Sequence, residues 1–313
     1  MNNQIALNIK TKLAEVSALC PYCQSNLFTD RHDIFCTNCH HVITTDNCSC
    51  YDCSKKRNVI QNTEDYFKHV VPVTISEDQR ALVLLLLELL PNENDSYKFN
   101  SLFEQPLLFN NRIVTEKCVL EPLIQHSIFV PQSPYNGVEL YKDEFIKINY
   151  QEAEFQLNVR NLSDNKFFDI QTKQHINLLF ETDILISSFT RHFDNLSIPY
   201  SPETLLTKLQ ESLLLYRPYL HWDDFTSSVS STIGELERLI VRCQLDRTQA
   251  VNIGLMDFNR VLEFVKKRKT YPINTPTKTK HFVTSKGIEV WCEQFLTMTI
   301  EDFFNRIPTK YFS

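Results

Sequence analysis

Seven of the ten cysteines in this 313-residue chain fall within the 34 positions from Cys20 to Cys53, CPYCQSNLFTDRHDIFCTNCHHVITTDNCSCYDC, with His32, His40 and His41 among them. No other feature restricts the fold as strongly, because thiols clustered in a reducing compartment are metal ligands more often than disulfides. Cys20-x-x-Cys23 and Cys36-x-x-Cys39 are separated by twelve residues. A two-residue gap lets both thiolates of a tight turn face one ion, and a dozen residues suffice for a short hairpin that brings the two turns together. Four sulfurs at about 2.3 Å then close the tetrahedral shell of a structural zinc ion. Pro21 helps to fix the first turn, and Ile34-Phe35 suit a strand entering the second. Reduced free cysteines and an iron–sulfur cluster are the competing readings of the same thiols.

The stretch from CPYC through Asp30 to FCTNCHHVI, residues 20–43, is similar to the zinc ribbon at the N-terminus of the B-type general transcription initiation factors. In those proteins the second knuckle is usually followed by glycine and an aliphatic pair. Here His40 and His41 precede Val42-Ile43, so the glycine is missing. The resemblance implies a zinc-organised fold for these residues alone; the duplicated cyclin-like repeats of that family are not placed on residues 60–313. Cys48-x-Cys50-x-x-Cys53 follows. With His41 it forms the ligand set expected for a second zinc, so the expected metal residues are Cys20, Cys23, Cys36, Cys39, His41, Cys48, Cys50 and Cys53. His40 in place of His41, ligand pairs that interleave, and unliganded thiols are the alternatives. Thiolates must be deprotonated to bind, so zinc affinity should fall with pH and the segment should unfold without metal.

Glycine occurs only four times. Phosphate-cradling loops need several glycines at fixed spacing, and no GxGxxG or GxxxxGK[ST] is present, which argues against a Rossmann-type cofactor site or a P-loop. The net charge of −6 argues against a protein that coats nucleic acid indiscriminately. The charge is uneven, however: Lys266 to Lys286 holds seven Lys/Arg and no acid, and Lys55-Lys56-Arg57 follow the cysteine cluster. Lys55, Lys56, Arg57, Lys266, Lys267, Arg268, Lys269, Lys278 and Lys280 are therefore the expected contacts to phosphate, or to an acidic protein partner. The plain alternative is a solvated loop. The N-terminus lacks a basic region followed by an apolar run and a small-residue cleavage site. The longest apolar run, Ala81 to Leu87, is far short of the roughly 20 residues of a membrane span. An intracellular protein, cytoplasmic or nuclear, with no membrane association is expected, and no small-molecule substrate is inferred.

The expected class is mainly α with a small β component. Ile5, Ile9, Leu13 and Val16 predict a leading helix in residues 2–18. Ser76 with Gln79 predicts a capping box for a central helix over Ala81–Leu90, ended by Pro91. A short helix follows near Ser101–Leu108, and a third after Thr115 carries Val119, Leu120, Leu123 and Ile124. Alternation at Ile146, Ile148, Tyr150 and at Phe155, Leu157, Val159 predicts a β-hairpin turning over Gln151–Glu154. Three helices and a hairpin follow the order of a winged helix-turn-helix; a small α+β domain is the alternative. Further helices are predicted from Ser201-Pro202-Glu203, from a Thr232/Glu235 capping box, through Ile253, Met256, Val261, Leu262 and Val265, and around Trp291, Phe295, Phe303 and Phe304. The expected division is a zinc-binding module at 1–57, an α+β domain at 65–165 and a helical domain at 170–313 with the basic loop 266–286.

His221-Trp222-Asp223-Asp224 is the most reactive-looking cluster beyond the cysteines, and Arg191-His192 with Asp194 is a second; a helix start and a surface turn are the plain explanations. Cys118, Cys243 and Cys292 read as small buried hydrophobes. No GxSxG or HExxH occurs. A catalytic zinc keeps one position open, whereas four cysteines close the shell. The expectation is a non-catalytic, zinc-binding factor that is nucleic-acid-associated or regulatory. The alternative is a protein–protein adaptor subunit of a transcription, mobile-element or phage-defence complex, and a hydrolase built on His221 and Asp223 or Asp224 is the minor reading.

Overall fold

The computed structural model describes residues 4–8, 27–30, 33–36, 42–44, 47–48, 61, 65, 69–91, 95–132, 138–141, 145–243, 245–268 and 284–305. Along the chain come strands β1 (Gln4–Asn8), β2 (Leu27–Asp30), β3 (Asp33–Cys36), β4 (Val42–Thr44) and β5 (Asn47–Cys48). Next are α1 (Glu77–Leu89), β6 (Tyr97–Lys98), α2 (Ser101–Glu104), α3 (Arg112–Val114), a π-helical stretch (Thr115–Leu120) and α4 (Glu121–Gln125). Strands β7 (Phe129–Pro131), β8 (Val138–Tyr141), β9 (Phe145–Asn149) and β10 (Glu154–Leu157) follow. The remainder is helical: α5 (Ile170–Asn195), α6 (Pro202–Tyr216), α7 (Trp222–Cys243), α8 (Arg247–Arg268), α9 (Lys286–Val290), a second π stretch (Trp291–Leu296) and α10 (Ile300–Asn305). The described chain is thus mainly helical with small antiparallel sheets. No helix among the described residues is long and apolar enough to cross a membrane.

Two units interleave in sequence. The first takes Met1–Thr74, Pro91–Asn100 and Leu123–Arg160; the second takes Ile75–Leu90, Ser101–Pro122 and Asn161–Ser313. In the first unit, β2-β3-β4-β5 form an antiparallel meander in which Leu27 pairs with Cys36 and Ile43 with Cys48. A second sheet has the order β1-β9-β8, and a third has the order β6-β10-β7. The third sheet carries an aromatic core. Phe99 stacks on Phe155 with ring centroids 4.6 Å apart and meets Phe129 edge-on at 5.2 Å. These rings are fully buried, and each removes a large apolar surface from water.

Two sequence expectations are corrected in this unit. Residues 4–8, expected to open a helix, are a strand whose Ile5 and Leu7 lie opposite Ile148 and Ile146. A period of two runs through Gln4–Asn8 as well as a helical one, and pairing with β9 selects it. The rest of that expected helix lies outside the described residues. The hairpin expected between 146 and 159 is also absent: β9 and β10 both exist, but β9 pairs with β1 and β8, while β10 pairs with β6 and β7. A tight hairpin needs residues that tolerate positive φ, usually Asn or Gly. Tyr150-Gln151-Glu152-Ala153 supplies none, and the amides of Glu152 and Ala153 donate back to the Asn149 carbonyl at 3.1 and 2.9 Å. The hairpin that does form joins β8 to β9.

In the second unit α1 begins as expected. Ser76 Oγ accepts from the Gln79 amide and Gln79 Oε1 accepts from the Ser76 amide, at 3.2 and 2.9 Å, and the helix stops before Pro91. Nearly every face of α1 is buried, and it packs against the 26-residue α5. Asp169 caps α5, and Ser201 with Pro202 starts α6 in the way its sequence predicts. The expected capping box at Thr232 is corrected: Thr232 is fully buried inside the continuous helix α7, and Glu235 pairs with Arg238 instead. Helix α9 is held by its cap. Ser285 Oγ donates to the Leu108 carbonyl at 2.8 Å and accepts from the Ile288 amide.

Candidate functional site

The cysteine region is described through its strands. The hairpin of β2 and β3 lies between the two Cys-x-x-Cys pairs; Cys36 ends β3 and Cys48 ends β5. Cys20, Cys23, Cys39, His41, Cys50 and Cys53 lie outside the described residues, as do Lys55, Lys56, Arg57, Lys269, Lys278 and Lys280. The donor types in the sequence are chemically suited to zinc: four thiols in two Cys-x-x-Cys pairs would make a closed shell, and three thiols with a histidine would make another. Among the described residues, no group of three or more His, Cys, Asp and Glu is gathered closely enough to hold a metal ion.

The candidate catalytic clusters make local contacts at helix ends. Asp224 is buried, and its carboxylate accepts from the His221 amide at 3.2 Å, which caps the start of α7. Trp222 packs between Phe225 and Phe304, with ring centroids 6.0 and 5.3 Å away. Asp194 accepts from the Tyr200 hydroxyl at 3.1 Å near the end of α5, where the amide of Leu196 donates to the His192 carbonyl. Cys292 is buried and Cys118 half-buried; burial pushes their thiols up to about 12 and about 11, so both stay protonated at neutral pH.

The segment Arg112–Gln125 is the third helical piece of the sequence expectation. Ile113, Val114, Thr115, Glu116, Val119 and Leu120 are all buried. Glu116 pairs with Arg112, and Lys117 donates to Glu121 at 2.6 Å. That hydrogen bond holds the Lys117 ammonium above its ordinary range, and Glu203 of α6 adds to the effect. Cys118 accepts from Gln210 of α6 at 3.7 Å. The π stretch is thus covered by α6 and lined with carboxylates.

Two buried carboxylates on α5 were not singled out from the sequence. Arg217 Nε donates to Glu181 at 2.7 Å with both side chains almost wholly enclosed, and the Arg217 guanidinium also reaches the Leu220 carbonyl at 2.9 Å. Asp183 accepts from the Asn110 and Asn111 amides at 2.9 and 2.6 Å and from Asn110 Nδ2 at 3.1 Å. It therefore holds the turn that leads into α3. Both acids sit on the long α5, where only their tertiary partners reveal a role.

Of the expected basic contacts, Lys266, Lys267 and Arg268 are described, and they close α8. Lys266 Nζ lies 4.0 Å from the Tyr219 ring centroid, and Arg268 Cζ lies 4.0 Å from that of Phe264. Lys267 pairs with Glu263 at 3.3 Å. No protein-family model, no curated protein and no solved structure matches this chain.

Proposed function

We propose that this protein is a non-catalytic, zinc-organised factor that docks on nucleic acid through local basic surfaces. The observation that carries the reading is the pair of Cys-x-x-Cys motifs on either side of the β2–β3 hairpin, followed by three further thiols. Cys20, Cys23, Cys36 and Cys39 would hold one ion, and His41, Cys48, Cys50 and Cys53 a second; the metal would supply architecture, not reactivity. The order of elements along the chain, α1, β6, α2, α3–α4, β7, β10, resembles that of a winged helix-turn-helix with β8–β9 inserted before its last strand. A helix-turn-helix reads DNA by placing its recognition helix in the major groove. The corresponding segment here lies under α6 with Glu116 and Glu121 on it, which argues against that mode and directs contact to the basic segments instead.

The same covered helix supports a second reading, a protein–protein adaptor in which the cysteine module is the docking element. Titrating labelled DNA and RNA with the full-length protein at two salt concentrations separates the two. Binding that weakens steeply with salt is the expected result. Absent or salt-independent binding removes phosphate contact, and recovery of a stable protein partner from nuclease-treated extract would then favour the adaptor.

A further inference from the structure

We propose that the groove between α7 and α8 is a self-association surface, on which a second copy of this chain seats its own α7–α8 pair and completes a four-helix bundle. A cavity of about 410 Å³ opens between these two helices. Leu236 and Leu239 of α7 and Ile253 and Met256 of α8 form its apolar walls. The helices are joined through residues 244–246 and pack side by side, so they run antiparallel. Leu239 and Ile253 lie toward that connection, and Thr232 and Arg260 lie seven residues away on their respective helices, about 10 Å at 1.5 Å per residue. On each helix the lining positions fall at i, i+3, i+4 and i+7, the spacing at which a docking helix presents its anchors. Each copy therefore supplies both a groove and the ridges to fill one, which a two-fold interface requires.

Charge selects a second copy over other occupants. Glu235 accepts from Arg238 Nε at 2.8 Å, and Asp257 accepts from Arg260 at 2.5 Å, so two acids and two bases border the groove. Their formal charge sums to zero on a chain of −6, so two copies can meet here without the repulsion that the net charge imposes elsewhere. A strongly acidic or basic partner would find these charges already paired. A small ligand needs polar groups aimed at it for orientation. Glu235, Asp257 and Arg260 are engaged with each other's helices or their own, and Thr232, whose Oγ1 has no hydrogen bond, is fully enclosed. Met256 stands 73% exposed at the rim, an unbranched thioether that adapts to an irregular recess. Across the two-fold axis each copy's Met256 enters the other's groove.

The test follows the mass of the reduced, nuclease-treated full-length protein by sedimentation from low to high micromolar concentration. The wild type should pass from one chain of 36.8 kDa to two. Met256→Glu should raise the dimer dissociation constant about tenfold or more, whereas Met256→Leu should retain the dimer. Val241→Glu is the control: Val241 is 77% exposed but lies about 160° around α7 from Leu239, so this variant should dimerise as the wild type does. Both side chains are mostly in solvent, so neither glutamate variant should lose helical content, which circular dichroism checks. A mass of one chain at every concentration overturns the proposal, as does a dimer that Met256→Glu leaves intact or Val241→Glu abolishes. A single chain that carries a copurified apolar molecule in native mass spectrometry, lost in Met256→Glu, would assign the groove to a small ligand and overturn it too.

Discussion

Burial and hydrogen bonding pull the Asp183 carboxyl in opposite directions. Desolvation dominates over the donors from Asn110 and Asn111 and leaves the group titrating near pH 7, raised from 3.8. Below the unfolded value both states hold the proton. Between about pH 4 and 7 the folded protein keeps a proton that the unfolded chain has lost, so stability contributed here falls as pH rises and levels off above 7. Glu181 shifts in the same direction through burial, opposed by Arg217. Asp183→Asn should remove its share of this slope. Denaturant unfolding at several pH values should show the wild-type advantage over the variant shrinking from pH 4 to 7; a difference that is flat across that window would contradict the assignment. Breaking a buried pair such as Glu181–Arg217 leaves one uncompensated charge, which explains why both members are enclosed together.

Local chemistry sets the helix starts, and tertiary contact decides which candidate starts are used. Ser76, Ser201 and the His221–Asp224 cluster begin helices where the sequence places them, because a side-chain oxygen can satisfy a free amide without outside help. Thr232 and Glu235 have the same spacing as a capping box but stay within α7, where burial of Thr232 and its neighbours favours a continuous helix. The approach of α9 to the Leu107–Leu108 backbone is close enough to test. The Gly287 amide donates to the Leu107 carbonyl at 2.6 Å, and a Cβ at Gly287 would lie less than 3.0 Å from the Leu108 carbonyl oxygen. Gly287→Ala should therefore cost about 2 kcal/mol through overpacking against backbone that cannot move aside. Gly234, in α7, has nothing within 4 Å of its would-be Cβ, so Gly234→Ala should instead stabilise by about 0.5–1 kcal/mol. Thermal melts of the two variants should shift in opposite directions.

At the scale of the molecule the proposal depends on bound metal. Elemental analysis of the purified protein should find zinc, with Cys20→Ser and Cys36→Ser each emptying one site and Cys50→Ser reporting on the second. Because the ligands must be thiolates, zinc should be released as pH falls, and a chelator should expose thiols to a labelling reagent. Cys118 and Cys292 stay protonated at neutral pH, which separates the cysteine cluster from these two helical thiols. Protein containing no zinc would leave the architectural reading without a foundation. Neither of the two units is a continuous stretch of sequence.

The sequence by itself determined the mainly helical class, the capped starts of α1, α6 and α7, and the strands on both sides of residues 150–153. These follow from periodicity and from side chains that bond to nearby backbone, both of which act over a few residues. The cysteine spacing likewise makes the zinc expectation legible from the sequence, because a two-residue gap is a local property. Tertiary structure alone decided that β9 and β10 join different sheets, that the Thr115–Leu120 stretch meets α6 at Cys118, and that Glu181 and Asp183 sit on partners from other elements. Strand pairing and burial are settled by residues far away in the chain, and no local pattern carries that information.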